Sequence, residues 1–143
     1  MTHLAIDGRA ACPCGRVNAR GKPLAWADCC GRFVDHWDDT PAPDAESLMR
    51  SRYSAFVLHD AQYLLDTWHP RTRPAHLDFD DGVRWLGLTV KHARTTGADA
   101  AEVEFVARSR VQGRGVRQQE RSRFTREDGR WVYVDGDVDG DPH

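Results

Sequence analysis

A chain of 143 residues with 40% hydrophobic and 29% charged residues fits one globular domain with a small appendage, and is too apolar to be disordered. Its formal net charge of −2 gives no global field for nucleic acid or an anionic membrane, and no apolar stretch approaches the length of a membrane span. Met1–Ala10 mixes His3, Asp7 and Arg9 with apolar residues and lacks the apolar stretch of a secretory signal, so the cytoplasm is the expected compartment.

Thiols stay reduced there, so four cysteines packed near the N-terminus point to metal before disulfides. Cys12-Pro13-Cys14-Gly15 and Cys29-Cys30-Gly31 supply two tight pairs, and two pairs brought together across a loop meet the tetrahedral demand of a structural zinc ion. Cys12, Cys14, Cys29 and Cys30 are the expected ligands, with His3 or His36 as a minor replacement for one thiolate. A disulfide between adjacent Cys29 and Cys30 would be strained, and cross-pairing requires an oxidising compartment. Gly15 and Gly31 are expected to let the backbone turn sharply and aim its amides at the sulfurs. Trp26, Phe33 and Trp37 read as packing of this small module against the rest.

The chain divides near Pro41-Ala42-Pro43. Asp44 then stands as an N-cap ahead of Leu48, Met49, Tyr53, Phe56 and Val57, which at ~100° per residue fall within one half of a helical wheel, predicting an amphipathic helix from Ala45 to about Leu58. Ala61, Leu64, Leu65 and Trp68 repeat at i, i+3, i+4, i+7 and predict a second, shorter helix stopped by Pro70. From Arg84 the period becomes two: Leu86, Leu88 and Val90 share one strand face, then Val103, Phe105 and Ala107, followed by strands over Val116–Arg126 and Trp131–Val134. Thr96-Gly97-Ala98-Asp99, Gly113-Arg114-Gly115 and Asp128-Gly129 are the reversals between them. Two helices followed by a four-strand antiparallel meander make an α+β fold, and a twisted sheet curling around helices leaves a concave cavity. The acidic run Asp135-Gly136-Asp137-Val138-Asp139-Gly140-Asp141 imitates half a calcium loop but lacks the later bidentate glutamate. The expected division is residues 1–40 as metal module, 41–137 as α+β domain and 138–143 as a disordered acidic tail.

The two cysteine pairs with their glycines resemble the SEC-C zinc motif found at the C-terminus of the secretion ATPase SecA. Glu46-Ser47-Leu48-Met49-Arg50-Ser51-Arg52-Tyr53, Thr67-Trp68-His69-Pro70, Arg84-Trp85-Leu86-Gly87-Leu88, Glu120-Arg121-Ser122-Arg123-Phe124 and Gly129-Arg130-Trp131-Val132-Tyr133-Val134-Asp135-Gly136 resemble the YchJ-like family of uncharacterised bacterial proteins. That resemblance implies a nuclear-transport-factor-two-like cone, a curved antiparallel sheet wrapped around N-terminal helices. One departure stands out: the segment Gly15–Asp28 is longer than the short Gly/Ser/Lys-rich loop usual in SEC-C motifs and lacks its lysines. Zinc binding tolerates this, since closure cost grows slowly with length, but docking to a chaperone or ribosome through that loop does not follow.

In a cone, polar side chains on the inner face are candidate site residues, because burial is costly unless they are paired. Tyr53, Trp68, His69, Glu120 and Ser122 form the candidate pocket. A Glu120–His69 pair would serve as acid and base and Tyr53 as hydrogen-bond donor in a small lyase or isomerase. The blander alternative has His69 at a helix C-terminus, Glu120 paired with Arg108, Arg110 or Arg123, and Tyr53 in the core. The arginines of the third and fourth strand blocks fall on both strand parities without a base-stacking aromatic stripe, so a salt-bridged face is expected over an RNA surface. The favoured function is a non-catalytic zinc-containing accessory protein that binds a protein or small ligand through its metal module or cavity. The lyase or isomerase is second and an RNA- or ribosome-associated factor third. Zinc is the one expected cofactor, neither a membrane nor a nucleic-acid partner is expected, and a dimer is possible but supported by no residue.

Overall fold

The computed structural model describes residues 3–139, and it begins with a segment that doubles back on itself. The Cys12 amide donates to the Leu24 carbonyl at 2.9 Å, Leu24 to Arg16 at 3.0 Å and Trp26 to Ala10 at 2.7 Å, making a narrow antiparallel ribbon. At its tip the Asn18 side chain accepts from the amides of Arg20 and Lys22, and Gly21 takes a φ of +78° that side-chain-bearing residues rarely adopt. The long Gly15–Asp28 segment is therefore an ordered hairpin, and it returns the second cysteine pair to the first. A 3-10 turn at Trp26–Asp28 and helix α1, Gly31–Val34, complete this region.

Helix α2 spans Ala45–Val57 and starts where Asp44 accepts from the Ser47 amide at 2.7 Å; α3 spans Ala61–Asp66 and starts where Asp60 accepts from Tyr63 at 2.9 Å. The amphipathic reading of α2 is incomplete. Ser47, Ser51 and Ser54 are buried along with the apolar stripe, because the cysteine segment and α3 cover the face that pattern alone assigns to solvent, and Arg52 is buried within the stripe itself. Helix α3 ends before Pro70 comes into play. Its following backbone joins the sheet instead, Tyr133 donating to the Thr67 carbonyl at 2.8 Å and His69 donating to that of Tyr133 at 2.7 Å.

Four strands follow: β1 Val83–Gly97, β2 Ala100–Val111, β3 Arg114–Glu127 and β4 Arg130–Asp139, in the order β1-β2-β3-β4 with every pair antiparallel. The fold is α+β with an open four-strand antiparallel sheet. Asp128-Gly129 forms the expected tight hairpin with both φ values positive, whereas the preceding reversal is at Gln112-Gly113, leaving Arg114 and Gly115 inside β3. Along β1 the expected face is broken. A bulge between Trp85 and Gly87 turns Leu86 outward, 52% exposed, while Trp85, Leu88 and Val90 pack against the core. Strand β4 runs past the expected domain end, pairing Val138 with Glu120 and Asp139 with Gln119; residues 140–143 of the expected tail lie outside the described residues.

The sheet's two faces differ in chemistry. Ala101, Val103, Phe105 and Ala107 of β2 face the helices, in register with Phe124, Ser122, Glu120 and Gln118 of β3. The outer face carries cross-strand charge pairs, Arg94 with Glu102 at 2.8 Å and Arg123 with Asp135 at 2.6 Å and Asp137 at 2.9 Å. The acidic run that mimics a calcium loop thus spends Asp135 and Asp137 on an arginine. One continuous core joins the cysteines, Trp26 and Phe33 to Leu48, Leu64, Val103 and Phe124, so the N-terminal segment and the α+β body share their apolar contacts.

Candidate functional site

The ribbon and the start of α1 bring Cys12, Cys14, Cys29 and Cys30 together with all four sulfurs within 4.8 Å of one another. None is more than 4% exposed. The Cys14 and Cys29 sulfurs are 3.6 Å apart, far beyond a disulfide and close to the roughly 3.8 Å edge of a tetrahedron with zinc–sulfur bonds of about 2.3 Å. The donor set therefore fits a closed tetrahedral metal ion. His3 lies elsewhere, held 2.7 Å from Asp35, and His36 is not among the grouped ligand atoms.

Crowding splits the acidities of the thiols. Hydrogen bonds from Cys14, Cys29 and Cys30 hold Cys12 far below the ordinary thiol range. Cys14, pushed up by Cys12 but drawn down by Cys29 and Cys30, falls to about 7. Cys29 and Cys30 are pushed up, chiefly by Cys12 and Cys14. Four buried thiols this close oppose one another's ionisation, a conflict that a divalent cation removes by taking four thiolates at once.

The surroundings of the cluster come largely from α2. Ser54 Oγ stands 3.5 Å from the Cys12 sulfur, and Arg50 donates to the Cys14 carbonyl at 3.2 Å while its Nε holds Glu46 at 2.9 Å. Gly15 is left-handed, with φ +77°, and its amide donates to the Cys12 carbonyl at 3.1 Å rather than to a sulfur. Gly31 is required for another reason: a Cβ there would lie 2.6 Å from the Trp26 carbonyl oxygen.

The opposite stripe of α2, Met49, Arg52, Tyr53 and Phe56, faces a cavity of about 270 Å³ between helix and sheet. Trp85, Phe105 and Phe124 continue its apolar wall, and Gln118, Glu120 and Ser122 line it from β3. Four of the five expected pocket residues, Tyr53, Trp68, Glu120 and Ser122, meet there. His69 does not. Trp68 bridges β4 at Tyr133, and the two neighbouring side chains part there: Trp68 lines the cavity, and the His69 ring turns to Glu127, 3.9 Å away, with Nδ1 accepting from the Arg71 amide. The Glu120–His69 acid–base pair is therefore not formed, and neither is the capping role at the end of α3.

Glu120 accepts from Ser122 Oγ at 2.5 Å and lies over Gly136, where a Cβ would come within 2.6 Å of its Oε2. It makes no ion pair with Arg108, Arg110 or Arg123 among the described residues; Arg123 is taken by Asp135 and Asp137. Burial pushes the Tyr53 phenol up to about 12, and burial with the nearby Glu120 does the same for Tyr133.

Sequence reasoning missed Arg52. It is 6% exposed, and its Nη1 donates to the Leu64 carbonyl at 2.8 Å and Thr67 Oγ1 at 2.6 Å. Its guanidinium lies 5.0 Å from the Trp68 ring centroid and 4.7 Å from that of Tyr133. Desolvation draws its pKa down to about 10, so it remains a cation at neutral pH, and no carboxylate forms an ion pair with it among the described residues. The signal was its place in the stripe 49-52-53-56, where a charged residue interrupts an otherwise apolar repeat. Of the arginines in the later strands expected to be salt-bridged, Arg123 and Arg126 hold carboxylates, whereas Arg108, Arg110, Arg114, Arg117 and Arg121 form no ion pair among the described residues and Arg108 donates to Thr89 Oγ1 instead. No helix among the described residues is long and apolar enough to cross a membrane.

Residues 44–136 match the family described as "YchJ, middle NTF2-like domain". A UPF0225 protein of Polaromonas sp. strain JS666 is 63% identical over 130 residues, covering 90% of this chain and 94% of the relative. Another, from Methylibium petroleiphilum, is 57% identical over 129 residues, covering 90% and 88%. Among solved structures, a SEC-C motif containing protein from Psychrobacter arcticus superposes with a TM-score of 0.76 at 29% identity, over 94% of this chain and 85% of that one. A SEC-C motif containing protein from Rhodopseudomonas palustris gives 0.75 at 32% identity, over 91% and 99%. The chain, with its cysteine cluster ahead of an NTF2-like body, belongs to the YchJ-like UPF0225 family.

Proposed function

We propose that this protein is a zinc-stapled binding protein that holds a small ligand in the cavity between α2 and the sheet, without a catalytic role for the metal. The carrying observation is the division of labour along α2. One stripe supports a closed set of four buried sulfurs, which leaves no coordination position for substrate, and the other lines a cavity with polar groups at its wall. Zinc is the ion that the donor set suits, as four thiolates in a tetrahedron and no redox partner are its usual structural arrangement. Binding is favoured over turnover because the histidine that would exchange protons with Glu120 faces Glu127 instead.

Purified, reduced protein is expected to carry one zinc ion per chain by elemental analysis. Naphthalene, a neutral apolar probe, is expected to quench the fluorescence of Trp68 and Trp85 saturably, and Ala107→Phe, which fills the cavity, is expected to abolish that quenching without lowering the melting temperature. Quenching unchanged in the filled variant would place the probe elsewhere and end the cavity reading.

A further inference from the structure

Arg52 and Glu120 sit on the wall of one apolar cavity, carry opposite charges, and feel one another's field without forming an ion pair among the described residues. A buried cation without a carboxylate partner is costly, and so is a carboxylate held in apolar surroundings by a single hydroxyl. Trp68 adds a third unsettled group: its indole N–H is buried and has no hydrogen-bond partner among the described residues. The charged groups that the cavity wall offers are one donor, Arg52, and one strong acceptor, Glu120. The remaining wall is aromatic, with Tyr53 edge-on to Trp85 at 5.6 Å and Phe124 edge-on to Tyr133 at 5.8 Å. Such surfaces favour flat rings over branched aliphatic chains.

We propose that the cavity takes a neutral one- or two-ring compound bearing a carbonyl-type acceptor beside an N–H or O–H donor, the acceptor meeting Arg52 and the donor meeting Glu120. This rests on the reading of the cavity as a ligand site. Neutrality follows from the charge balance: the two wall charges sum to zero, so an anionic ligand that satisfies Arg52 opposes Glu120, and a cationic one does the reverse. A compound with both functions fills the gap between two charges that do not reach each other. The size follows from a cavity of about 270 Å³, near the lower end of the roughly 300–1,000 Å³ usual for ligand sites.

Three probes of one shape test this: naphthalene, 2-naphthamide and 2-naphthoate, titrated against the metal-loaded protein by tryptophan fluorescence. The amide is expected to bind roughly tenfold or more tightly than naphthalene, the effect of a hydrogen bond to a charged group, and more tightly than the carboxylate. Glu120→Gln is expected to weaken the amide and strengthen 2-naphthoate, inverting their order. Arg52→Met is expected to bring the amide down to the level of naphthalene. Because Arg52 also ties α3 through Leu64 and Thr67 and its loss risks misfolding, the wild-type probe order and the isosteric Glu120→Gln carry the test on their own. Equal affinity for all three probes, or 2-naphthoate binding most tightly to wild type, overturns the ligand class while leaving the cavity reading standing. No binding by any of the three overturns both.

Discussion

The cysteine cluster and the cavity lie against opposite stripes of one helix, and they treat their polar atoms in opposite ways. On the stripe of Ser47, Arg50 and Ser54, each side chain has a partner in the N-terminal segment: Ser47 with Arg16 at 3.0 Å, Arg50 with the Cys14 carbonyl, Ser54 with the Cys12 sulfur. On the stripe of Met49, Arg52, Tyr53 and Phe56, a guanidinium lines a cavity that a carboxylate from β3 also lines, with no ion pair between them among the described residues. A region whose polar groups are all met from within the chain is built to stay as it is. One whose charges are left apart is completed by something from outside. Buried polar groups are costly in both places, and only the source of compensation differs.

The largest expected effect tests the first half of that contrast. Cys14→Ser removes one of four thiolates from a cluster around which the whole N-terminal segment is organised. Structural zinc is worth about 10–16 kcal/mol in small peptides, so losing most of it exceeds the stability of a typical domain. The variant is expected to lose its metal and its cooperative thermal transition, as followed by elemental analysis and circular dichroism. A metal-free variant that melts like the wild type would show that the cluster does not staple the fold. Acid acts in the same direction, since every ligand must be deprotonated to bind: metal release is expected as pH falls, with protons taken up, and a chelator is expected to complete it.

Next in size is Gly31→Ala. The new methyl would meet the Trp26 carbonyl oxygen at 2.6 Å and its ring nitrogen at 2.7 Å, and that tryptophan is itself tied to Asp35 at 3.0 Å. Backbone cannot move aside here without disturbing Cys29 and Cys30, so a cost of about 1–3 kcal/mol is expected in chemical denaturation. A smaller, shared effect comes from Asp44→Ala. Loss of the N-cap of α2 costs about 1 kcal/mol. Because the cluster and the cavity share one core, the metal and tryptophan signals are expected to move together in a single transition. Two separate transitions would split the regions that α2 joins.

The two regions were unequally legible in the sequence, and the reason is distance along the chain. The cysteine cluster was readable because its thiols come as two local pairs, each half of a cluster, and only the route of the connecting segment was missing. That route is a hairpin fixed by Asn18 and Gly21, residues that look like ordinary loop composition until their hydrogen bonds are seen. The helix start at Asp44 and the Asp128-Gly129 turn were also local and also readable, whereas the Asp60 cap of α3 was not picked out. The cavity draws on α2, β1, β2, β3, β4 and Trp68 after α3, so its membership depends on phase. One bulge at Leu86 reverses a strand face, and the backbone pairing of residues 67–69 sends Trp68 inward and His69 outward. Arg52 was passed over because arginine at a helical core position is read as solvent-facing unless its partners are known.

Gly136→Ala closes the comparison, because it places on the cavity side the same methyl that Gly31→Ala places beside the cysteines. Here the nearest atom is Glu120 Oε2 at 2.6 Å, the end of a flexible side chain, with the Arg121 carbonyl oxygen next at 3.1 Å. The carboxylate has open cavity to turn into, whereas the Trp26 backbone has none. A stability loss of under about 1 kcal/mol is therefore expected, below that of Gly31→Ala, since a rotamer change substitutes for a backbone shift. Binding should register the change more than folding does: with Glu120 turned into the cavity, naphthalene is expected to bind less tightly and the preference for 2-naphthamide over it to shrink. Should the two glycine variants prove equally destabilised, Glu120 would have nowhere to go. The space between α2 and the sheet would then be as fully occupied as the cluster on the helix's other side.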